Sequence, residues 1–490
     1  MAEQIGNKMN IGGMYRPLNE EQIEKIHNAS LYVLEDIGFT YEKGIEDVLL
    51  LLEKAGAGVD NSKARITLPR NLVMEQISKA PEKVVLYSRD GGNDLNLQKD
   101  NVYMGTGGAA IKILDLETGK VRKPLLRDLY LLGRLVDQLP NIRFFLRPCI
   151  PHDILSEKEY DVNVYYTCMK ATTKHVMGAV NDVDNLNKVI ELASMIAGSK
   201  EMLQQKPFIS VVTSFAISPL KLSTQPTLIM QEACRQKIPV ALSSAPAAGS
   251  TAPLPMAGTL VQLHAEELAG ITIAQLTNPG APVIYGGIPG VSDLRTMGYV
   301  GGSVECGMMN AAIHQLARYI KVPNYNSSAL TDSKVPDAQA GWEKGLTSIL
   351  VSMGGSNYVH HAAGMLESML TISYEQYVMD DEIIGMCMRV LRGIEVDEEH
   401  LALKDIEEVG PGGNYLVSPG TIAFMRGEYY SGNGISDRNN RDIWEKEGAL
   451  DARERAKKIA EKLIINEKTN YIPKDVDDSI RERFKILLPE

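Results

Sequence analysis

Residues 207–215 read PFISVVTSF and residues 282–287 read PVIYGG, and these two runs decide the fold. Each is a short apolar run that ends in small or polar residues and is followed by a stretch of helical length. Such runs are typical of parallel strands that helices cover on one side and a barrel interior covers on the other. The same unit recurs about eight times between residues 101 and 393, which predicts a (β/α)8 TIM barrel.

The predicted strands lie at 101–105, 141–148, 172–179, 207–214, 238–243, 281–286, 322–327 and 356–361. In this architecture catalytic residues lie at the C-terminal ends of the strands. Residues at those ends are therefore the first candidates for chemistry.

The chain has 490 residues, well above the about 250 of a bare barrel. We expect an N-terminal helical extension over residues 1–100, a barrel domain over 101–394 and a C-terminal extension over 395–490. Helical patterns at 20–37, 44–55 and 70–79 support the first of these, and a strongly charged composition marks the last.

Composition excludes several classes of function. The 51 Lys and Arg against 62 Asp and Glu give a net charge of −11, which argues against a nucleic-acid partner. Five scattered cysteines form no disulfide framework, and neither a signal peptide nor an apolar run of 18 residues is apparent. We expect a cytoplasmic protein without membrane contact, and a homo-oligomer because barrels with helical extensions often associate.

Two adjacent histidines end the last predicted strand, in NYVHHAAGMLES (357–368). Neighbouring side chains on a strand point to opposite faces, so we expect one of His360 and His361 to face the barrel mouth and the other to pack. No HxH, HExxH or paired-cysteine spacing accompanies them, so we predict no metal. The GTGG at 105–108 lacks the full GxGxxG spacing, which argues against a nicotinamide or flavin site.

The loop after the seventh strand, NSSALTDSKVPDAQAGWEK (326–344), is long and polar. Asp332 and Lys334 are candidates for the polar part of a site at the barrel mouth. Asp337 is predicted instead to cap the next helix. Lys334 could form a Schiff base only if its amine were desolvated at a strand end.

Aromatic residues are scarce, at 6% of the chain, yet several fall near predicted strand ends. A ring of aromatic faces around the mouth would suit a cation without N–H groups, such as a quaternary ammonium. The residues concerned are Tyr103, Phe215, Tyr285, Tyr325, Tyr358 and Tyr374. The alternative is that two or three of these six pack between strands and helices. We take Tyr103, Phe215, Tyr285 and Tyr358 as the candidates for the cage.

Long segments in consistent order resemble the trimethylamine methyltransferase family over nearly the full chain. These are VYMGTGG (102–108), DLETGK (115–120), the loop at 326–344, HHAAGMLES (360–368) and the closing charged helices. The archaeal namesake carries pyrrolysine, whereas all 490 positions here are standard residues. The resemblance therefore implies the non-pyrrolysine branch, whose members act on glycine betaine, proline betaine, carnitine or butyrobetaine.

The resemblance further implies methyl transfer from a quaternary amine to the Co(I) corrinoid of a separate protein. The chain has no DxHxxG corrinoid motif, so we expect it to bind no cofactor itself and to receive the corrinoid from this partner. His360, His361, Asp332 and Lys334 would form the polar part of the site. The substrate carboxylate would be held by Arg147 or by backbone amides, those of Gly107 and Gly287.

Two other functions stay open at this point. One is a Schiff-base lyase or aldolase on the same barrel, which would use Lys334 with one of the two histidines. The other is a non-catalytic betaine-binding subunit.

Overall fold

The computed structural model describes residues 10–465 and 471–489. Eight parallel strands alternate with eight helices between Tyr103 and Arg392. The strands are β1 (Tyr103–Thr106), β2 (Phe145–Leu146), β3 (Val176–Gly178), β4 (Ile209–Thr213), β5 (Val240–Leu242), β6 (Val283–Gly286), β7 (Asn324–Ser327) and β8 (Tyr358–Ala363). The helices that follow them are α1 (Leu126–Asp137), α2 (Glu157–Ala171), α3 (Val183–Ala197), α4 (Thr224–Arg235), α5 (Met256–Thr277), α6 (Val304–Tyr319), α7 (Ala338–Gly354) and α8 (Tyr374–Arg392).

The sheet closes on itself. From β2 to β8 each strand pairs in parallel with the next one along the chain, and β8 pairs with β1 through Tyr358 opposite Tyr103, so β1 and β2 are the two ends of the paired sheet. Between β1 and β2 the Arg143 amide donates to the Met104 carbonyl at 2.9 Å. The predicted (β/α)8 barrel is confirmed, with all eight predicted strands overlapping observed ones.

Side-chain caps begin several of the barrel helices. Ser303, Asp337 and Ser373 each accept a hydrogen bond from the backbone amide three residues later, at the starts of α6, α7 and α8. Such caps satisfy amides that the first turn of a helix leaves unpaired. The prediction that Asp337 caps a helix is confirmed.

The region before the barrel holds the three predicted helices, at Glu20–Tyr32, Glu46–Lys54 and Arg70–Ile77, with a π-helical turn at Val33–Ile37. It also holds short strands that the sequence analysis missed, because three residues are too few to show a periodicity. They lie at Phe39–Tyr41, Gly58–Asp60, Arg65–Thr67, Val84–Leu86 and Leu95–Leu97. Helices Glu20–Tyr32 and Arg70–Ile77 pack on α5.

A hairpin plugs the N-terminal end of the barrel. Strands Val84–Leu86 and Leu95–Leu97 pair in antiparallel fashion and pack against interior residues, among them Phe144, Met177 and Ile284. Because this end is closed by apolar side chains, only the C-terminal ends of the strands can offer a site.

Short strands in the loops at the C-terminal ends of the barrel strands build further small sheets. They are Lys112–Leu114, Val121–Arg122, Ala216–Ile217, Lys221–Leu222, Ala247–Ala248, Gly290–Ser292, Tyr299–Val300, Met365–Leu366 and Thr371–Ser373. These small sheets give the loops regular secondary structure over this end of the barrel.

The remaining helices are short or lie outside the barrel. They are Lys200–Gln205, Leu403–Val409, Pro419–Phe424, Arg441–Lys446, Ala452–Ile464 and Lys474–Arg483. Helix Ala452–Ile464 packs on α8 and α1 through its buried Ala456 and Ala460. Over residues 10–465 and 471–489, no helix has the length and apolar character needed to cross a bilayer.

Candidate active site

A cluster of polar side chains lies at the C-terminal ends of β5, β7 and β8. The ring of His360 stacks on that of Tyr325, with centroids 4.1 Å apart, and its Nδ1 lies 3.3 Å from the Tyr325 hydroxyl. The side chain of Ser243 lies near the Tyr325 hydroxyl and lowers its pKa, against the larger effect of burial, which raises it. His361 Nδ1 lies 3.0 Å from the Ser327 hydroxyl. We call these five residues the mouth cluster.

Both histidines belong to this cluster, contrary to the expectation that they face opposite ways. Their ring centroids are only 3.8 Å apart. His361 has φ of 59°, and the pairing of β8 with β1 shifts register between Val359 and Ala363. This bulge breaks the alternation of side chains, which holds only for regular strand backbone. A Cβ added at Gly107, directly after β1, would clash with His361, so the bulge needs a glycine there.

Burial keeps both rings neutral. His360 is 1% exposed and His361 is 3% exposed. Burial, and to a smaller extent the charge of nearby Lys344, lower the pKa of His361 to about 3. Burial and the neighbouring His361 lower the pKa of His360 well below its ordinary value. Nε2 of His360 is buried and has no hydrogen-bond partner among the described residues. A buried polar atom without a hydrogen-bond partner marks a place where a ligand can bind.

A buried carboxyl group lies close to the mouth cluster. Glu267 on α5 accepts a hydrogen bond from the Gly286 amide at the end of β6, at 2.9 Å. Its other carboxyl oxygen is buried and has no hydrogen-bond partner within residues 10–465 and 471–489. Burial raises the pKa of Glu267 well above its ordinary value. The sequence analysis missed it, although a Glu266-Glu267 pair inside a long apolar helix was a usable signal.

A buried ion pair holds the loops that follow β7 and β8. Lys344 Nζ lies 2.9 Å from an Asp380 carboxyl oxygen, with the two side chains 0% and 1% exposed. Lys344 also donates to the Ala329 carbonyl at 2.7 Å, and Asp380 accepts from the Gly364 amide at 2.7 Å. The pair therefore fixes the backbone on either side of the mouth cluster. Nothing local in the sequence marked it.

Asp332 and Lys334 lie away from the histidines. The Asp332 carboxylate accepts from the amides of Gly301 and Gly302, at 3.0 and 3.2 Å, and from the Ser368 hydroxyl. It therefore ties three loops together. Lys334 is exposed, and its Nζ donates to the Asp332 carbonyl. The Schiff-base alternative required a desolvated amine, so this placement gives it no support.

Of the six aromatic residues expected near strand ends, Tyr325 and Tyr358 lie at or beside the mouth cluster, and the other three cage candidates lie elsewhere. Tyr103 lies at the opposite end, where β1 begins, and its hydroxyl accepts from the Asn96 amide in the plugging hairpin. Phe215 packs outside the barrel against Gly270 of α5, and the Tyr285 hydroxyl bonds His264 of the same helix at 2.8 Å. The parity of a residue along its strand decides between interior and exterior, and the sequence did not reveal that parity.

Tyr358 alone of the four lies inside the barrel near the cluster. Its ring stacks on Phe144 with centroids 3.6 Å apart and lies 5.9 Å from the ring of Tyr325. These two aromatic rings form the layer of the barrel interior next to the mouth cluster.

The groups expected to hold a carboxylate are also placed elsewhere. Arg147 follows the interior residue Leu146 and acts electrostatically on Tyr160 and Asp161 of α2, and its buried Nε has no hydrogen-bond partner among the described residues. The Gly287 amide already donates to the Tyr325 carbonyl at 3.2 Å. Gly107 lies at the site, but as the close contact of His361 described above.

Comparisons with known proteins agree on one family. The family described as trimethylamine methyltransferase (MTTB) matches residues 2–485. The glycine betaine methyltransferase of Desulfitobacterium hafniense (strain Y51) is 32% identical over 97% of each chain. The trimethylamine methyltransferase of D. hafniense (strain DSM 10664 / DCB-2) is 33% identical over 96% of this chain and 93% of its own.

Among solved structures, the Methanosarcina barkeri monomethylamine methyltransferase superposes with a TM-score of 0.46 and 11% identity. The superposition covers 91% of this chain and 92% of the other. The sequence matches span every residue of the mouth cluster.

Proposed function

The chain belongs to the trimethylamine methyltransferase family and is a methyltransferase, and from that premise we propose that its methyl donor is a quaternary amine such as glycine betaine. We propose as acceptor the Co(I) corrinoid of a separate protein, since the chain contains no DxHxxG motif. The observation that carries the choice of donor is the buried mouth cluster, in which both histidines are neutral.

The protonation state of the cluster suits a quaternary nitrogen. When such a nitrogen loses a methyl group, the electron pair of the broken C–N bond stays on nitrogen, and the leaving group is a neutral tertiary amine. No proton has to be delivered, so the site needs no general acid. Neutral rings at His360 and His361 also avoid the repulsion that an imidazolium would exert on a cationic substrate.

Two features of the chain would favour a bound cation at this layer. Glu267 lies behind the end of β6 with one free carboxyl oxygen, and a cation nearby would favour its ionised form. The plugged end of the barrel keeps water from reaching this layer from below.

The reduced corrinoid would supply the nucleophile that takes the methyl group. The chain itself would orient the C–N bond toward the open end of the barrel and hold it there. His360 Nε2, which has no partner among the described residues, is the side-chain atom best placed to orient the substrate.

The test is a panel of quaternary amines with and without cob(I)alamin. The protein is incubated with glycine betaine, proline betaine, carnitine or trimethylamine, and the demethylated amine is measured. We expect product only when the reduced corrinoid and a quaternary amine are both present. Turnover without corrinoid, or a preference for trimethylamine over every quaternary amine, would contradict the proposal.

A further inference from the structure

The segment between Gly393 and Tyr429, which we call the arm, has 11 of the 38 exposed large apolar side chains of the described residues within only 37 residues. Both of its ends are tied to the last turn of α8, where Arg389 donates to the carbonyls of Gly393 and Glu428 at 2.8 and 2.9 Å. Only Ser418 is buried within it, and neither of its helices, Leu403–Val409 and Pro419–Phe424, contains a buried residue.

The arm is nevertheless internally ordered by polar contacts. Asp405 accepts hydrogen bonds from the Ser418 hydroxyl and the Gly420 amide, both at 2.8 Å, which joins the two helices. The His400 ring lies 4.6 Å from that of Phe424. These contacts leave the apolar side chains of the arm outside, between 44% and 86% exposed: Ile394, Val396, Leu401, Leu403, Ile406, Tyr415, Leu416, Val417, Ile422, Met425 and Tyr429.

This surface is of the size that a stable protein interface buries. At about 100 Å² for each such side chain, the arm offers roughly 1,000 Å², compared with about 800 Å² per partner in a standard interface. The largest apolar patch of an ordinary monomer is about 300–600 Å². Ordering a segment of this length also costs conformational entropy that its own burial does not offset.

Charge adds a second, independent observation. The arm has eight carboxylates and two cationic side chains, a net charge of −6 with His400 neutral. Beside its base lies a groove of about 810 Å³ lined by Arg143, Arg389, Arg392 and by Arg426 of the arm. Glu428 pairs with Arg389 and Arg392, at 3.4 and 4.0 Å, so four cationic side chains face one carboxylate here. Nε of Arg143 is buried and lacks a hydrogen-bond partner in the described part of the chain. An acidic, apolar arm and a basic groove thus share one face.

We infer that this face is the dimer interface of the protein, in which the arm of each copy covers the arginine groove of the other. A two-fold axis needs a self-complementary surface, and one that carries both the acidic arm and the basic groove meets this need. The methyl acceptor is the competing occupant, but the arm lies at the C-terminal end of α8, at the plugged end of the barrel. An acceptor must reach the opposite end, where the mouth cluster lies.

The test compares oligomeric state in matched variants. Light scattering after size-exclusion chromatography should show the wild-type chain as a dimer, or an oligomer built from dimers, at micromolar concentration. Leu416→Asp with Val417→Asp places two charges on side chains that are 81% and 80% exposed, so the subunit fold should survive. We expect the dissociation constant of the dimer to rise at least about 100-fold. Leu155→Asp, at a 92% exposed leucine outside the arm, is the control and should leave the dimer unchanged.

Hydrogen exchange on the wild-type chain gives a readout that needs no variant. The amides of the arm should become protected as concentration rises through the dissociation constant, while those of β1 to β8 stay constant. The inference would be overturned if the wild-type chain were monomeric at every concentration at which it is soluble. It would also be overturned if the exchange rates of the arm amides did not depend on protein concentration. An arm variant that loses methyl transfer to a corrinoid protein without any change in oligomeric state would overturn it as well.

The exclusion of the methyl acceptor from this face rests on the proposed function. Self-association is measured without substrate or corrinoid, so the dimer inference and the proposed function can fail independently of each other.

Discussion

The two halves of the barrel interior are lined by the same strands but differ in chemistry. In the N-terminal half, Phe144, Met177, Ile284 and the plugging hairpin form a dry apolar stack. In the C-terminal half, the interior side chains one or two residues further along the same strands are polar and form the mouth cluster. Burial is nearly complete in both halves, so exposure does not distinguish them. What differs is polarity: the C-terminal half holds buried polar groups that can act on a ligand, among them His360 Nε2, which has no hydrogen-bond partner among the described residues.

The strongest way to break the apolar half is Phe144→Ala. The ring stacks on Tyr358 and is fully buried, so its loss should cost about 3–5 kcal/mol in the free energy of unfolding, including the cavity left behind. Urea denaturation measures this cost. The control, Leu155→Ala, should change it by less than about 0.5 kcal/mol. If the Phe144→Ala protein were as stable as the wild type, Phe144 would not belong to a half of the barrel that stabilises the fold.

In the polar half, stability should depend on the buried ion pair. Lys344→Met leaves the Asp380 carboxylate buried without its cation and should cost about 3–5 kcal/mol. The double variant Lys344→Met with Asp380→Leu removes both charges and should recover part of this loss. The denaturation midpoints of the wild type, the single variant and the double variant measure these changes in stability. A double variant that is less stable than the single one would show that the hydrogen bonds of Asp380 matter more than its charge.

The histidines of the polar half predict how stability depends on pH. Because the pKa of His361 falls from an ordinary value of 6.5 to about 3 on folding, the unfolded chain binds the proton more readily. The contribution of His361 to stability is therefore present above pH 6.5 and is lost as pH falls toward 3. Between pH 7 and pH 5 it should decline by about 2 kcal/mol. Comparing the pH dependence of unfolding in wild type and His361→Asn isolates this part, and identical slopes would refute it.

The unmet nitrogen of His360 predicts a loss of activity rather than of stability. His360→Ala should lower kcat/KM for methyl transfer to cob(I)alamin at least about tenfold, which corresponds to about 1.4 kcal/mol. Thermal unfolding should show that the variant remains folded. His361→Asn is the matched neighbour and should act mainly on stability, through its contact with Ser327. Small and equal effects of both changes on activity would exclude His360 from the site.

The smallest effect should come from an aromatic residue outside the barrel. Tyr285→Phe removes only the hydrogen bond with His264 and should cost about 1 kcal/mol of stability. Because this hydroxyl faces α5, KM for the amine should not change. Steady-state kinetics measures KM, and an unfolding curve measures the loss of stability. A raised KM would place Tyr285 in the substrate site.

Several features of the site were predictable from short stretches of chain. The apolar runs predicted all eight strands, and their order predicted that His360 and His361 lie at a C-terminal strand end. The cap at Asp337 was predictable because it depends on residues only three positions apart. Each of these depends on neighbours in the sequence, where periodicity and turn chemistry act.

Other features depend on distant parts of the chain. Glu267 meets Gly286, and Lys344 meets Asp380, only because helices and strands far apart in sequence pack together. The outward direction of Tyr285 was equally hidden, since a shift of one position along a short strand reverses the side to which a residue points.

The sequence by itself therefore determined the barrel and its strand order, because hydrophobic periodicity is a local property. The tertiary structure alone decided that both histidines lie in one cluster and that only Tyr325 and Tyr358 of the six aromatic residues lie at or beside it. The physical reason is the bulge in β8, where a positive φ at His361 and the close approach of Gly107 override the alternation that a regular strand would impose.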